Sequence, residues 1–386
     1  MISAEKCDLN NIEVIVFGQH CWNTLGQIRS FGDFGVNSHV IWIENDDFTP
    51  KGSKYVRTFH SCLTFEEGFN YLINTFNNSN KKYIVSTDSD RVVQLLNENY
   101  NKLKDQYFFF NAGEQCRLSK YMSKKNQLLI AEKFGLNVPK TEFVKNGELS
   151  PGLDFPIFTK SKDSFSFNWK KNCYICKNIE DLKKAYEQIP DEELILQKYI
   201  KKDNEVAIEG ISYNNGQNVF MPIQGEYLRI EDGSFGTWKK NEIYKLGDDL
   251  REKIHNILLH IRYNGIFEIE FLKDKNGELY FLEINFRHTQ YNNALTIMGV
   301  NFCQLYYQSV LYGIIDIEDL DIKSPSITMN EYKEYRKYIK TGLISITEWI
   351  RDIRKTDSFY FYDKKDKKYF YRNIARLIKE KLQSYF

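Results

Sequence analysis

A long apolar run and a low-complexity tract are both missing from this chain of 386 residues. No stretch approaches the roughly 18 uninterrupted apolar residues of a membrane-spanning helix. The N-terminus has no basic region followed by an apolar one, as a secretory signal would. Glycine (21 residues) and proline (7) are scarce, which excludes a collagen-like or low-complexity chain. We therefore expect a cytoplasmic protein with no membrane partner.

An excess of one charge is missing as well. The 53 Lys and Arg residues nearly balance the 52 Asp and Glu residues. The chain thus lacks the positive charge with which nucleic-acid binders neutralise phosphates, and no nucleic-acid partner is expected. The seven cysteines are odd in number and widely spread, which favours reduced thiols. Cys173 and Cys176 form one CxxC pair without the second pair that a zinc site needs, so two strand cysteines are the simpler interpretation.

Apolar residues, by contrast, are plentiful. Hydrophobic residues make up 42% of the chain and aromatic residues 15%, enough for a sizeable core, and the length predicts two or three domains. Near the N-terminus a strand (12–17), a helix (25–34), a second strand (36–44) and a further strand from residue 81 predict a doubly wound α/β domain. Neither glycine-loop nucleotide signature, GxGxxG or GxxxxGK(S/T), occurs in the chain.

The most informative segment is GIFEIEFLKDKNGELYFLEINFRH, residues 265–288. Its Asn276-Gly277 pair is the favoured sequence of a two-residue type I′ hairpin turn. Because side chains alternate along a strand, this turn would project four polar side chains from one face. They form two cross-strand pairs, Glu270 opposite Glu283 and Glu268 opposite Asn285.

The other face of this predicted hairpin is apolar. The same register pairs Ile269 with Ile284 and Phe271 with Leu282, which is the pattern of a face that packs on a core. Leu272 and Phe281 fall on the polar face. The acids are therefore expected at the edge of a dry patch.

The opposed acids predict a metal site. Carboxylates on directly opposed positions repel, because their Cβ atoms lie only about 4.5–5.5 Å apart, so a cation is expected between Glu270 and Glu283. With the amide oxygen of Asn285 they form an all-oxygen ligand set that suits Mg²⁺ or Mn²⁺ rather than zinc. Arg287, on the same face, can hold a transferring phosphoryl group beside a metal. The alternative is an amphipathic hairpin whose acidic side faces water.

Cations for a nucleotide's phosphates occur upstream. Lys160 ends the apolar strand FPIFTK (155–160), and Lys124 lies near the start of a helix predicted over 119–136. The sequence QKYI (197–200) closes a further strand, and Glu205 follows after a polar turn. Taken singly, each lysine is better explained as a surface residue, because the chain is rich in lysine.

Taken in order, these segments resemble the ATP-grasp superfamily. The resemblance covers about residues 115–315 and rests on SKKNQLLIAEKFGLNVPKTEFV (123–144), FPIFTK, LILQKYI (194–200) with NEVAIEG (204–210), and the hairpin with its Glu-x-Asn-x-Arg ending. It implies an α/β (α+β) fold with a Rossmann-like pre-ATP-grasp domain over 1–115. An ATP-grasp domain over 116–315, with a lid at about 140–200, and a C-terminal extension over 316–386 would follow.

The resemblance also implies roles for individual residues. ATP and Mg²⁺ (or Mn²⁺) would be the cofactors. Lys124 and Lys160 would contact the ATP phosphates, Gln197, Lys198 and Ile200 would line the adenine pocket, and Glu205 would bind ribose. Glu270, Glu283 and Asn285 would hold the metal, and Arg287 together with Lys160 would be catalytic. One departure is the stretch SKDSFSFNWKKN (161–172), which has no glycine where the superfamily has a glycine-rich loop.

Length and layout most resemble the stand-alone carboxylate–amine ligases of the D-aspartate ligase type. The implied reaction joins a small-molecule carboxylate, an amino acid being one candidate, to an amine through an acyl phosphate, with release of ADP and phosphate. Two alternatives stay open: another ATP-grasp chemistry, of the carboxyphosphate or phosphotransferase type, and a non-catalytic ATP-binding regulatory module.

Candidate substrate residues are few. Arg229 can pair with a carboxylate or form an ordinary ion pair. His288, next to Arg287, can contact substrate or simply pack, and Trp238 is a candidate for a pocket wall. The identities of the substrates have no linear signature. A homodimer is the oligomeric state suggested by analogy.

Overall fold

The structure, a computed structural model, describes residues 12–44, 48–148, 152–161, 173–230 and 236–383. The stretch 161–172, which the sequence predicts as a loop without glycine, therefore lies outside the described residues except for Ser161, the last residue of a strand. No helix in the described ranges is both long and apolar enough to cross a membrane.

The N-terminal part is a five-stranded parallel sheet of order β3-β2-β1-β4-β5. Its buried strands are apolar on both faces, as parallel strands covered by helices must be. Its elements, in chain order, are β1 (Ile12–Gly18), α1 (Cys21–Asp33), β2 (Ser38–Ile43), β3 (Val56–Cys62), α2 (Phe65–Thr75), β4 (Lys82–Thr87), α3 (Asp90–Glu98), α4 (Tyr100–Leu103) and β5 (Tyr107–Phe108).

Two helices follow where the sequence predicts one over 119–136: α5 (Arg117–Met122) and α6 (Lys124–Lys133). The break lies at Ser123, whose backbone is extended and which occupies the N-cap position of α6. Serine favours this position over a helix interior, because its side chain competes for backbone hydrogen bonds. The break places Lys124 in the first turn of a helix.

A separate four-stranded sheet of order β6-β9-β7-β8 comes next. It occupies the part of the chain in which the sequence predicts a lid. Cys176 is fully buried in its core, in agreement with the simpler interpretation of the CxxC pair. Its elements are β6 (Thr141–Lys145), β7 (Ile157–Ser161), β8 (Tyr174–Cys176), α7 (Ile179–Gln188) and β9 (Glu193–Lys198).

A seven-stranded sheet of order β14-β13-β10-β11-β12-β15-β16 forms the body of the molecule. Its first five strands and their helices are β10 (Asn204–Tyr213), β11 (Asn218–Arg229), β12 (Trp238–Ile243), α8 (Asp248–Ile261), β13 (Gly265–Lys273), β14 (Leu279–Asn285), α9 (Asn292–Met298) and α10 (Phe302–Tyr312). The last two strands come from the C-terminal residues, so the predicted extension is part of this sheet. Its elements are β15 (Ser326–Met329), α11 (Glu331–Glu334), a π-helical turn (Tyr335–Ile339), α12 (Ile346–Arg354), β16 (Ser358–Phe359) and α13 (Lys367–Gln383).

The aromatic strand predicted over 358–363 ends after Phe359. The next three backbone N–H groups, of Tyr360, Phe361 and Tyr362, donate to the carboxylate of Glu331 at 2.7–3.1 Å. Within the described residues, only the first of them also reaches the sheet, at the carbonyl oxygen of Met329, 3.3 Å away. On the other side, the buried guanidinium of Arg29 donates to the carbonyl oxygens of Tyr360 and Phe361. The segment is thus bound between the N-terminal domain and the central sheet.

The hairpin differs from its predicted form at the turn. The loop has three residues, Lys275 to Gly277, because Gly277 N–H donates to the carbonyl of Asp274 and Gly277 has a φ of +84°. This is a type I turn followed by a left-handed glycine. The extra residue shifts the strand register by one, so that Phe271 faces Phe281 and not Leu282. Phe281 therefore lies on the core face, 1% exposed, and its predicted place beside the acids is wrong.

A β-bulge at Leu282 then restores the predicted register. Beyond it, Glu270 lies opposite Glu283 and Glu268 opposite Asn285, as expected from the sequence. Ile269 and Ile284 face the core on the other side of the hairpin. The loop and the bulge compensate each other, because the loop takes its extra residue from the β13 side and the bulge adds its extra residue on β14.

Candidate active site

The polar face of the hairpin forms a row of acids at the base of a cleft. Glu268 is 3% exposed, and Glu270 lies beside it on the same strand face. Burial raises the pKa of Glu270 well above its usual value, and repulsion from Glu268 and Glu283 adds to the effect. One carboxylate oxygen of Glu270 is buried and accepts no hydrogen bond from a described residue. Such a cluster is costly unless a cation joins it.

Two buried lysines face these acids from the elements that the sequence predicts. Lys124, in the first turn of α6, and Lys160, in β7, are 6% and 5% exposed. Burial and the neighbouring Lys124 lower the pKa of Lys160 to about 8. Burial raises the pKa of Glu283 even though Lys124, Arg287 and Lys160 oppose that shift. The hairpin, α6 and the four-stranded sheet therefore meet at one point.

Arg287 lies at the same point and is held on two sides. Its Nε donates to Asp90 of α3 at 2.8 Å, and its Nη2 donates to the side-chain oxygen of Asn285 at 3.1 Å. Burial alone would lower the pKa of Arg287, but Asp90 and Glu283 outweigh it and hold the pKa above its usual value. The guanidinium is therefore a fixed charge beside the acids.

The residues predicted to contact adenine and ribose lie at and after the end of β9. Gln197 is buried and donates to the hydroxyl of Thr141 at 2.8 Å, while the side chain of Lys198 is exposed. Glu205 shares the strand face of the acids, through its pairing with Leu272, and accepts a hydrogen bond from Lys202 at 2.8 Å. Ile200 is half-buried. The roles of these four residues stay predictions.

The predicted substrate residues are not brought into the cleft. The guanidinium of Arg229 pairs with Glu334 and Asp352 and lies over the ring of Trp238, so the ordinary ion pair is the alternative that the structure favours. His288 is 1% exposed, packs on Phe110 and has its pKa lowered to about 3 by burial. It is a packed histidine.

A second charged cluster was missed by the sequence analysis. Lys239 of β12 is 1% exposed, and its ammonium lies 3.8 Å from both Glu209 and Glu268 and 3.6 Å from the ring centre of Tyr291. The absence of a side chain at Gly225 leaves room for it, since a Cβ there would meet Lys239 Cε at 2.2 Å. The sequence does contain one sign of this cluster, the charged Glu209 inside the apolar strand EVAIEGI. It does not show which strands pair, and so it does not show that Lys239 lies near Glu209.

The acid row, Lys124 and Arg287 line a cleft of about 1020 Å³. One part of its wall carries the acids, Lys124, Arg287 and the hydroxyls of Tyr227 and Tyr291, which lie 2.9 Å apart. The other part is formed by residues from α1, from the loop between β2 and β3, and from the C-terminal segment. They are Trp22, Phe48, Tyr332, Lys333, Arg336 and Lys337.

The acid row fits a hard divalent cation. Within the described ranges no three His, Cys, Asp or Glu residues converge on one metal position, so the chain offers Glu270, Glu283 and the Asn285 amide at most. Mg²⁺ is commonly held by one or two carboxylates, with phosphate and water oxygens completing its shell. The buried, unpartnered oxygen of Glu270 is the observation that supports such a site.

Known proteins share this architecture. No protein-family model matches the chain. An N5-carboxyaminoimidazole ribonucleotide synthase of Staphylococcus aureus is 29% identical to this chain over 132 residues. The chain thus spans about a third of the length of the curated relatives it matches. The match covers 34% of each of the two chains.

Two solved structures align over most of the chain. An N5-carboxyaminoimidazole synthetase of Staphylococcus aureus complexed with ADP has a TM-score of 0.64 and 16% identity, and the alignment covers 86% of this chain and 89% of that one. An L-amino acid ligase of Bacillus licheniformis has a TM-score of 0.59 and 17% identity, with coverages of 78% and 74%. The chain has the ATP-grasp fold. The predicted resemblance is thereby confirmed for the fold.

Proposed function

We propose that this ATP-grasp protein is an ATP-dependent carboxylate–amine ligase. The observation that carries the proposal is the meeting of an acid row with two cations, Lys124 and Arg287, in one large cleft. The buried ammonium of Lys160 lies close enough to oppose the raised pKa of Glu283. A module that only bound ATP would gain nothing from burying several acids together, because their repulsion and desolvation are costly. An enzyme that transfers a phosphoryl group would need both kinds of charge, carboxylates to bind the metal and cations to bind the phosphates.

The first step activates the acid. An oxygen of the substrate carboxylate attacks the γ-phosphorus of ATP, the bond to the β-phosphate oxygen breaks, and ADP leaves with that electron pair. Lys124 and Lys160 would hold the phosphates, and Arg287, fixed by Asp90, would stabilise the charge on the transferring group. Mg²⁺ on Glu270, Glu283 and Asn285 would neutralise phosphate oxygens.

The second step forms the amide. The amine nitrogen attacks the carbonyl carbon of the acyl phosphate, inorganic phosphate leaves, and the nitrogen loses a proton. Glu268 is the proposed proton acceptor, since it lines the cleft and one of its oxygens accepts no hydrogen bond from a described residue. The four-stranded sheet is the proposed lid, because an acyl phosphate must be kept from water.

The test is ADP release from Mg·ATP with pairs of amino acids and other small acids and amines. Release is expected only when both an acid and an amine are present. Glu283→Ala is expected to abolish it, because the change removes one of the two opposed acids. Glu278→Ala, an exposed residue of the same hairpin, is the matched control and should keep full activity.

Two results would contradict the proposal. One is an ATPase rate that no pair of acid and amine increases, together with tight ATP binding by calorimetry, which is the behaviour of a regulatory module. The other is equal activity of Glu283→Ala and Glu278→Ala. Circular dichroism and thermal unfolding of both variants exclude a folding defect as the cause.

A carboxyphosphate reaction is the second candidate. The relative with 29% identity is named for a product in which a carboxyl group is joined to an amine nitrogen. For such chemistry bicarbonate takes the place of the organic acid. ATP hydrolysis that bicarbonate stimulates in the absence of any other acid would favour this candidate, and a requirement for an organic acid would exclude it.

A further inference from the structure

The C-terminal side of the cleft carries positive charge that the proposed chemistry does not use. Lys333, Arg336 and Lys337, here named the cationic wall, all line the cleft. They lie three and four positions apart on the helical segment that runs from α11 into the π-helical turn, so that they share one side of it. All four acids of the described lining, Asp90, Glu268, Glu270 and Glu283, belong to elements at the other side of the cleft.

Buried contacts on its inner side fix the segment that carries these three charges. Glu334 is fully buried and binds both Arg229 and the hydroxyl of Thr237, and Tyr338, four residues later, is 2% exposed. Asn330 caps the segment by accepting the N–H of Lys333 at 3.0 Å. Because Glu334 and Tyr338 occupy the inner side of the helix, Arg336 is directed outward into the cleft. Arg229 therefore acts as a positioning residue for this wall.

Arg336 is the member best suited to bind a ligand. It is exposed, its guanidinium lies 5.7 Å from the ring centre of Tyr332, and no carboxylate of the described chain forms an ion pair with it. Beside it, Trp22, Phe48 and Tyr332 form an aromatic surface with ring centres 5.0–6.3 Å apart. A planar guanidinium next to aromatic rings is a common arrangement for recognising carboxylate or phosphate groups.

The cationic wall and the acid row come from different parts of the central sheet. The acids lie on β13 and β14, whereas the wall follows β15, which is four strands away from β13 in the sheet. At about 4.8 Å between neighbouring strands this separation is on the order of 15–20 Å. Lys124 and Arg287, the cations proposed for the triphosphate, line the cleft together with the acids, so the cationic wall is left for a different anionic group.

We propose that the cationic wall binds a carboxylate or phosphate group of a substrate, remote from the reacting carboxylate. The inference rests on the proposed function in that it names the class of one substrate: a small molecule with an anionic group at its far end. Charge-assisted hydrogen bonds to Arg336 would fix that end, and the aromatic surface would cover the adjoining part of the molecule.

The test is calorimetric titration of the full chain with inorganic phosphate and, separately, with succinate. Saturating Mg²⁺ and a non-hydrolysable ATP analogue keep the nucleotide site filled. Binding of either anion is expected, and Arg336→Ala should weaken it about tenfold or more, since a hydrogen bond to a charged group contributes about 1.5–3 kcal/mol. Lys340→Ala, an exposed cation of the same segment outside the cleft lining, should leave the affinity unchanged.

Each outcome decides the inference. Preference for phosphate or for succinate identifies the anionic group, and binding of both supports a general anion site. No binding by the wild type, equal affinities for the wild type and Arg336→Ala, or equal weakening by Lys340→Ala would each overturn it. Because the titration uses no turnover, anion binding that persists in a protein without ligase activity would contradict the proposed function alone.

Discussion

Lys160 carries a charge that depends on pH near neutrality. Burial and the nearby Lys124 lower its pKa to about 8, whereas an exposed lysine titrates near 10.4. Below pH 8 the ammonium is present and can bind a phosphate. Above pH 8 the free protein loses this proton, and ATP must restore it on binding.

Affinity for ATP is therefore expected to fall as the pH rises through about 8. Linkage predicts a loss of up to about tenfold per pH unit, until the higher pKa of the bound state is reached. Lys160→Arg keeps the charge and should remove this dependence between about pH 7 and pH 9.5. Calorimetric titrations with ATP across this range measure the effect. A flat profile for the wild type would refute the assignment of Lys160 to the phosphates.

A variant of Glu268 would distinguish the two proposed chemical steps, because only the second step uses Glu268 as a proton acceptor. Glu268→Gln keeps the size of the side chain and an oxygen for Asn285, which donates to Glu268 at 3.3 Å, but it cannot take a proton from the amine. Amide formation is expected to fall by about 10²–10⁴-fold. Trapping with hydroxylamine should still detect the acyl phosphate at a rate near that of the wild type. Loss of both signals, or of neither, would remove Glu268 from the role of proton acceptor.

Among elements, the hairpin shows what a sequence can predict. The alternation within each strand was predicted correctly, because a period of two depends only on the local chain. The four polar residues share one face because the bulge at Leu282 cancels the shift that the loop introduces. Its loop length was not predicted, because Asn276-Gly277 suits a three-residue loop as well as a two-residue one. Asp274 selects the longer loop by accepting the N–H groups of Asn276 and Glu278.

Gly277 is expected to stabilise this loop through its backbone alone. It has a φ of +84°, and a Cβ added there would meet no atom within 4 Å, so Gly277→Ala should suffer only the left-handed backbone penalty. We expect the free energy of unfolding to fall by about 1 kcal/mol. Gly277→Asn should lose less, because asparagine tolerates this region. Urea unfolding measures both; equal stability of the two variants would argue against a left-handed residue at this position.

At the scale of the whole molecule, the contacts that join distant segments were beyond sequence analysis. Arg229 was a candidate ligand because its partners, Glu334 and Asp352, are 105 and 123 residues away in the chain. Lys239 was missed for the same reason, since its acids come from two other strands. The architecture could be predicted from the resemblance of the ordered segments to a known superfamily, but the pairing of single charges depends on tertiary packing.

Arg29 makes another long-range contact of this kind. It is 3% exposed and binds Asp366 at 3.2 Å as well as two carbonyl oxygens of the C-terminal segment. Arg29→Met would leave the buried carboxylate of Asp366 without its cation, and we expect a loss of about 3–5 kcal/mol in the free energy of unfolding. Urea unfolding measures this loss.

The control is Lys365→Met, which removes a surface ion pair with Asp33. Its expected cost is below about 1 kcal/mol, because exposed pairs are screened by water. The double variant Arg29→Met/Asp366→Asn should regain part of the loss. Similar stabilities of Arg29→Met and Lys365→Met would show that the C-terminal segment does not depend on Arg29.

The compensation between the hairpin loop and the bulge at Leu282 has a practical use. The loop tip is solvent-exposed on the far side of the bulge from the acids. A short epitope or a single labelling cysteine introduced between Lys275 and Gly277 would therefore leave the carboxylates in place. Protein engineers would gain an attachment point that lies a few residues from the acid row in sequence, yet separated from it by the bulge.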